Sequence, residues 1–230
     1  MPGHPTLAVE NLNVSYGESK VLFDVSIKVY SNEVVSCVGR NGAGKTTLLR
    51  AIGGFLKPTS GSITLNNQSL VGIMSYDIAK MGLKYVPQDK KVFSDLTVRE
   101  NLELASYATK DYNWEKVMEY FPALKGLFDR KGGYLSGGER QMLMIGRAII
   151  GNPGVLLIDE PTEGLAPSIV SHLKNVIQEL TKSTTLLIVE QNLSLVSAIS
   201  HKVYAIKEGR VVSEIVDHED IKNNVCEQYL

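Results

Sequence analysis

Apolar and polar positions change rhythm along the chain. Residues 7–16 and 21–30 read as two strands about the turn Gly17-Glu18-Ser19. In the second, Val25, Ile27 and Val29 alternate with Ser26 and Lys28, the period of two of a half-buried strand. Residues 34–38 and 155–158 are instead almost unbroken apolar runs, which suits strands covered on both faces in a parallel sheet. Further strands are expected at 62–65, 83–86 and 185–189, with a hairpin over 203–216 about Glu208-Gly209. Helices are expected at 46–52, 75–81, 168–181 and near 217–223. Between 89 and 150 the pattern is helical alone, at 98–105, 114–121 and 139–150. A break of that length in a strand–helix alternation predicts one domain over residues 1–230, an α/β core with a helical subdomain inserted at about 89–150.

Composition narrows the class. The chain has 230 residues, 43% of them hydrophobic and 21% charged, enough for a full globular core. With 24 basic and 25 acidic residues the formal net charge is −1, so no global field attracts nucleic acid. Lys90-Lys91 is the densest basic pair and reads as a solvated loop. No run approaches the ~18–20 apolar residues of a membrane span, because the longest, 142–158, is broken by Arg147 and Asn152-Pro153. Residues 1–6 show no secretion signal, and Cys37 and Cys226 lack metal-ligand spacing, so a reduced cytosolic setting is expected.

The chemistry begins at Gly39, Arg40, Asn41, Gly42, Ala43, Gly44, Lys45, Thr46 and Thr47. Two glycines five apart, then Lys and a hydroxyl residue, match the phosphate-binding P-loop. Gly42 and Gly44 let successive N–H groups turn inward on phosphate oxygens, Lys45 supplies a point charge, and Thr46 offers a hydroxyl to Mg²⁺. The following helix adds its N-terminal dipole. Tyr16, at the end of the first strand, is either a core residue or a stacking platform for a base. Gln88, just past the strand at 83–86, has an amide whose oxygen suits Mg²⁺ and whose N–H₂ suits the attacking water. Asp159 and Glu160 end the apolar strand at 155–158, where Asp159 suits Mg²⁺ and Glu160 suits a water aligned for attack. A second helix-start anion site lies far away in sequence. Leu135-Ser136-Gly137-Gly138-Glu139 places Ser136 as N-cap, Glu139 at the capping-box position, and two glycines between.

In this order and spacing the motifs 39–46, Gln88, 135–141 and 155–160 resemble ATP-binding cassette proteins over nearly the whole length. The resemblance implies a P-loop NTPase (RecA-like) core with an N-terminal antiparallel β-subdomain and the inserted helical subdomain. It also implies two cassettes facing head to tail, each ATP held by Lys45, Thr46 and Gln88 of one and by Ser136, Gly137 and Gly138 of the other. Asp159 would carry Mg²⁺ and Glu160 would be the general base. Most of the family has His where this chain has Gln191, and an amide donates a hydrogen bond there but carries no proton or charge.

The segments 161–167 and 189–192, with 121–124 and 130–133, are similar to ATPase subunits of importers for branched-chain amino acids and for urea and short amides. The resemblance implies an ATP-hydrolysing subunit, peripheral on the inner face of the cell membrane, working with separate permease subunits. Its partner cassette would be a copy or a paralogue, and an extracytoplasmic substrate-binding protein would act indirectly. An exporter ATPase is the alternative, and a soluble non-transport cassette the more distant one.

Overall fold

The structure is a computed structural model and describes residues 4–229. Residues 1–3 and the Cys226 side chain, both touched on in the sequence reading, lie outside what is described. In chain order the elements are β1 Leu7–Tyr16, β2 Ser19–Val29, β3 Val34–Val38, α1 Lys45–Ile52, β4 Ser60–Leu65, β5 Gln68–Ser69, α2 Ser75–Lys80 and β6 Leu83–Val86. There follow α3 Val98–Ser106, α4 Glu115–Tyr120 and α5 Gly137–Ile149, with short 3₁₀ turns between α4 and α5. The chain ends in β7 Val155–Asp159, α6 Pro167–Leu180, β8 Thr185–Glu190, α7 Leu193–Ile199, β9 Lys202–Lys207, β10 Arg210–Ile215 and α8 His218–Lys222, before a last 3₁₀ turn.

Two sheets result. An antiparallel one has the order β2-β1-β4-β5, and a larger one the order β10-β9-β3-β8-β7-β6. In the larger sheet every neighbouring pair is parallel except β9 with the edge strand β10. The unbroken apolar runs sit at its centre. Along β7, Val155 and Leu157 pack with α1 and the antiparallel sheet, while Leu156 and Ile158 pack with α3, α5 and α6. Leu187 and Val189 of β8 face the first layer, and Leu186 and Ile188 the second. Alternate side chains of a strand point to opposite faces, so a strand covered on both sides must be apolar throughout.

The helical stretch between β6 and β7 shares this second core layer, with Leu102, Phe121 and Leu143 fully buried. Two of its helices start on capping boxes. The one expected at Ser136 and Glu139 opens α5, and an equivalent Thr97–Glu100 pair opens α3. Asn66 and Asn67, both with positive φ, close the tight β4–β5 hairpin. The helix α7 was not expected from sequence. Its seven residues follow the polar pair Gln191-Asn192, and Asn192 caps it through a side-chain bond to the Leu195 N–H.

Register fixes where chemistry can occur. Val38 of β3 lies opposite Glu190 of β8, Asp159 of β7 opposite Val189, and Val86 of β6 opposite Ile158. The carboxyl ends of four parallel strands therefore meet along one edge, the place where open α/β sheets bind ligands.

Candidate functional site

Each of those strand ends delivers one piece. From β3 the chain turns through the P-loop into α1, with Gly42 and Gly44 at φ of 81° and 102°, values that an L side chain rarely adopts. Lys45 is buried, and its Nζ donates to the carbonyls of Gly39 at 2.7 Å and Arg40 at 3.1 Å. Its third close neighbour is the Glu160 carboxylate, 3.4 Å away. The next residue along, Thr46, donates through Oγ1 to Asp159 Oδ1 at 3.2 Å, and Thr47 is buried behind it.

Asp159 ends β7 almost fully buried, and burial pushes its carboxyl above the ordinary range. Hydrogen bonds from Thr46 and from the Tyr85 hydroxyl, the latter 3.0 Å from Oδ2, pull the other way. Glu160 follows with φ of 44°, the left-handed region that a non-glycine residue occupies only under constraint. Its N–H donates to the Val189 carbonyl, which fixes the turn. Gln88 Nε2 donates to Glu160 Oε2 at 3.1 Å and Glu163 Oε2 at 2.9 Å. Gln191 Nε2 donates to Glu160 Oε1 at 2.8 Å and Asn41 Oδ1 at 2.6 Å. Glu160 is thus the hub on which Lys45, Gln88 and Gln191 converge.

The space around this hub is open. A cavity of about 290 Å³ is lined by Asn41, Gly42, Gly44, Lys45, Thr46, Thr47, Gln88, Glu160 and Val21. A larger one of about 740 Å³ runs on past Thr46, Gln88 and Asp159 to Arg50, Phe55 and Tyr85. Arg40 and Ala43 line a third, smaller one against 206–208. The Thr46 hydroxyl and Asp159 carboxylate are adjacent hard oxygen donors of the kind that would suit Mg²⁺ beside a phosphate. No group of three or more His, Cys, Asp or Glu that could hold a metal is found among the described residues.

Other sequence-predicted residues sit apart. Tyr16 is 43% exposed at the end of the β1–β2 hairpin, opposite Ser19, which removes the core alternative. Ser136, exposed at the start of α5, uses its hydroxyl within its capping box and does not line the cavity around the P-loop. Gly137 has open space where a side chain would stand, and Gly138 lies against Ile169 of α6. Three residues at the hub were not singled out from sequence: Tyr85, Glu163 and Glu190. Glu190 carried a legible signal, a carboxylate ending an apolar strand as Asp159 does. Tyr85 and Glu163 carried none, because only the packing brings them in.

Comparison with known proteins agrees with this geometry. The profile of the family described as ABC transporter matches residues 22–163. The chain belongs to that family. This cassette is 40% identical over 211 residues to a high-affinity branched-chain amino acid transport ATP-binding protein, BraG, of Pseudomonas aeruginosa, covering 90% of this chain and 91% of that one. It is 37% identical over 225 residues to a probable branched-chain amino acid transport ATP-binding protein, LivF, of Archaeoglobus fulgidus, covering 93% and 95%. Among solved structures, a nucleotide-free ATP-binding cassette from an ABC transporter aligns at TM-score 0.86 and 31% identity, covering 96% of this chain and 95% of that one. The cassette therefore has the expected P-loop NTPase fold, and it is an ABC transport ATPase.

Proposed function

We propose that this cassette is the ATP-hydrolysing subunit of an importer for branched-chain or related hydrophobic amino acids, or for amides such as urea. The observation that carries the reading is the convergence of Lys45, Gln88 and Gln191 on Glu160, beside the Thr46–Asp159 pair, at the carboxyl edge of the parallel sheet. In this reading the P-loop amides and Lys45 hold the β- and γ-phosphates, and Tyr16 stacks on the adenine. Thr46, Asp159 and the Gln88 amide oxygen would hold Mg²⁺, which would supply neutralisation of charge on the phosphate oxygens. Glu160 takes a proton from water as its oxygen attacks the γ-phosphorus and the bond to the β-phosphate oxygen breaks, leaving ADP and phosphate. Gln191 donates a hydrogen bond to the γ-phosphate. Gln88 and Gln191 have to leave Glu160 for these roles, so the nucleotide exchanges one set of hydrogen bonds for another.

The signature residues Ser136, Gly137 and Gly138 serve the nucleotide of a second cassette, a copy or a paralogue, which accounts for the exposure of Ser136 and for the open space beside Gly137. The helical stretch 89–150 acts as the inserted subdomain that presents them. No helix among the described residues is long and apolar enough to cross a membrane, so the transport path belongs to separate permease subunits, with an extracytoplasmic binding protein beyond them. The cassette then lies on the inner face of the membrane. Phe93, 47% exposed, and Tyr107, 68% exposed, with Lys90, are the contacts proposed for the permease. Export is the second reading, but the 33% identity over 228 residues to a lipopolysaccharide export system ATP-binding protein of Haemophilus influenzae is below the 40% to BraG and does not favour it.

Copurification from detergent-solubilised membranes, followed by ATPase assay of the reconstituted complex, decides between them. Import predicts a copurifying permease and stimulation of hydrolysis by a binding protein loaded with leucine, valine or urea. Recovery with an export permease alone, or on nucleic acid, contradicts import.

A further inference from the structure

We infer that Glu190 is a positioning residue that locks the Glu160 loop and the Gln191 loop into one unit. The inference rests on the catalytic roles proposed above for those two residues. Glu190 ends β8, is only 3% exposed, and spends both carboxylate oxygens on loop donors. Oε1 accepts from the Thr162 N–H at 3.0 Å and from the Thr162 hydroxyl. Oε2 accepts from the Gln191 N–H at 2.7 Å and the Asn192 N–H at 2.9 Å. Thr162 stands two residues past Glu160 in the loop after β7, and Gln191 and Asn192 form the loop after β8.

A closed circuit results in the nucleotide-free chain, and its Glu190 half persists when the Gln191 side chain turns to the γ-phosphate. It runs from Glu160 through Pro161 to Thr162, across to Glu190, along to Gln191, and back through the Gln191 Nε2–Glu160 Oε1 bond of 2.8 Å. Every link is a covalent step or a hydrogen bond, so neither loop shifts without straining the other. Only a carboxylate fits the centre. All four donors point inward, and no other side chain offers two oxygens that are both acceptors. An amide of the same shape turns an N–H₂ toward one pair of donors and frees that loop. Backbone N–H groups supply three of the four bonds, so Glu190 sets loop conformation and does not itself touch the nucleotide. No P-loop residue is bonded to Glu190 itself, and the circuit touches that loop only through the Gln191–Asn41 and Glu160–Lys45 contacts. Loss of Glu190 therefore affects turnover and spares ATP binding.

The test is steady-state ATP hydrolysis by the full chain with Mg²⁺, comparing the parent with Glu190→Gln, Gln191→Ala and the double variant. Glu190→Gln is expected to lower kcat about tenfold, with KM for ATP within about twofold, as loss of a positioning group does. Because Glu190 acts through Gln191, the two losses in the double variant fall short of their product. Wild-type kcat for Glu190→Gln, a rise in KM that matches the fall in kcat, or losses that multiply each overturn the proposal. Should Glu190→Gln fail to fold, Thr162→Val removes a single donor and is expected to lower kcat about threefold at unchanged KM. An unchanged kcat there overturns the proposal equally. Glu160→Gln, run alongside, separates the two levels: if it alone hydrolyses normally the general-base reading fails, and if Glu190→Gln alone does so only the Glu190 reading fails.

Discussion

Replacing Glu160 by Gln separates the two things this carboxylate does. Before nucleotide arrives, it lies 3.4 Å from the buried Lys45 ammonium. At that distance the direct attraction is about 5 kcal/mol with an effective dielectric of ~20. Desolvation of both buried groups offsets most of this and leaves on the order of 1 kcal/mol for ATP to displace. The amide releases Lys45 from the contact, so ATP binding is expected to tighten roughly fivefold. Hydrolysis moves the opposite way. Loss of a general base costs about 10²- to 10⁴-fold, or about 3–5 kcal/mol in the barrier. The pair of assays is phosphate release at saturating ATP and equilibrium titration with a fluorescent ATP analogue. Slow turnover with equal or tighter binding is the expected signature. Near-normal turnover refutes the base assignment, and binding weakened tenfold or more shows that Glu160 instead supports the P-loop.

Three further outcomes follow from the same geometry. Burial raises the Asp159 carboxyl, so the folded chain holds that proton more tightly than the unfolded chain does. Stability is then lost as pH rises from the ordinary value of 3.8 through the raised one, and Asp159→Asn is expected to be the more stable protein at neutral pH, with the gap closing toward acid. Denaturant unfolding of the nucleotide-free chain across pH reads this, and a less stable Asp159→Asn at neutral pH contradicts it. Tyr85→Phe deletes the 3.0 Å bond that orients Asp159 and should weaken the apparent Mg²⁺ affinity of hydrolysis about tenfold, whereas an unchanged Mg²⁺ titration shows that Thr46 orients Asp159 alone. Thr97→Ala and Ser136→Ala each remove a capping box and should each lower stability by about 1 kcal/mol in thermal unfolding. Only Ser136→Ala should also depress hydrolysis, and equal ATPase rates for the two would place Ser136 outside the site.

Local chemistry made part of this site legible in the sequence. Gly39 to Thr46 are contiguous and match the phosphate-binding P-loop spacing, and Asp159 and Glu160 announce themselves as charges ending an apolar strand. The central strands were legible for the same reason, since burial on both faces leaves no room for alternation. What sequence hid was pairing at long range. Tyr85 meets Asp159 only because β6 lies beside β7 in register, with Val86 opposite Ile158. The Glu160 backbone conformation is likewise imposed by the Val189 carbonyl on a neighbouring strand. The helix α7 was hidden differently, because seven residues that include Ser194 and Ser197 leave too short an apolar stripe to stand out.

The division of one ATP site between two cassettes is the claim with the most consequences. Neither Lys45→Ala nor Ser136→Ala chains are expected to hydrolyse ATP alone, but a mixed dimer of the two holds one intact composite site. Measured at equal concentrations, the mixture should recover about a quarter of the parent rate, since half the dimers are mixed and each has one working site of two. A mixture no more active than either variant alone contradicts a shared site.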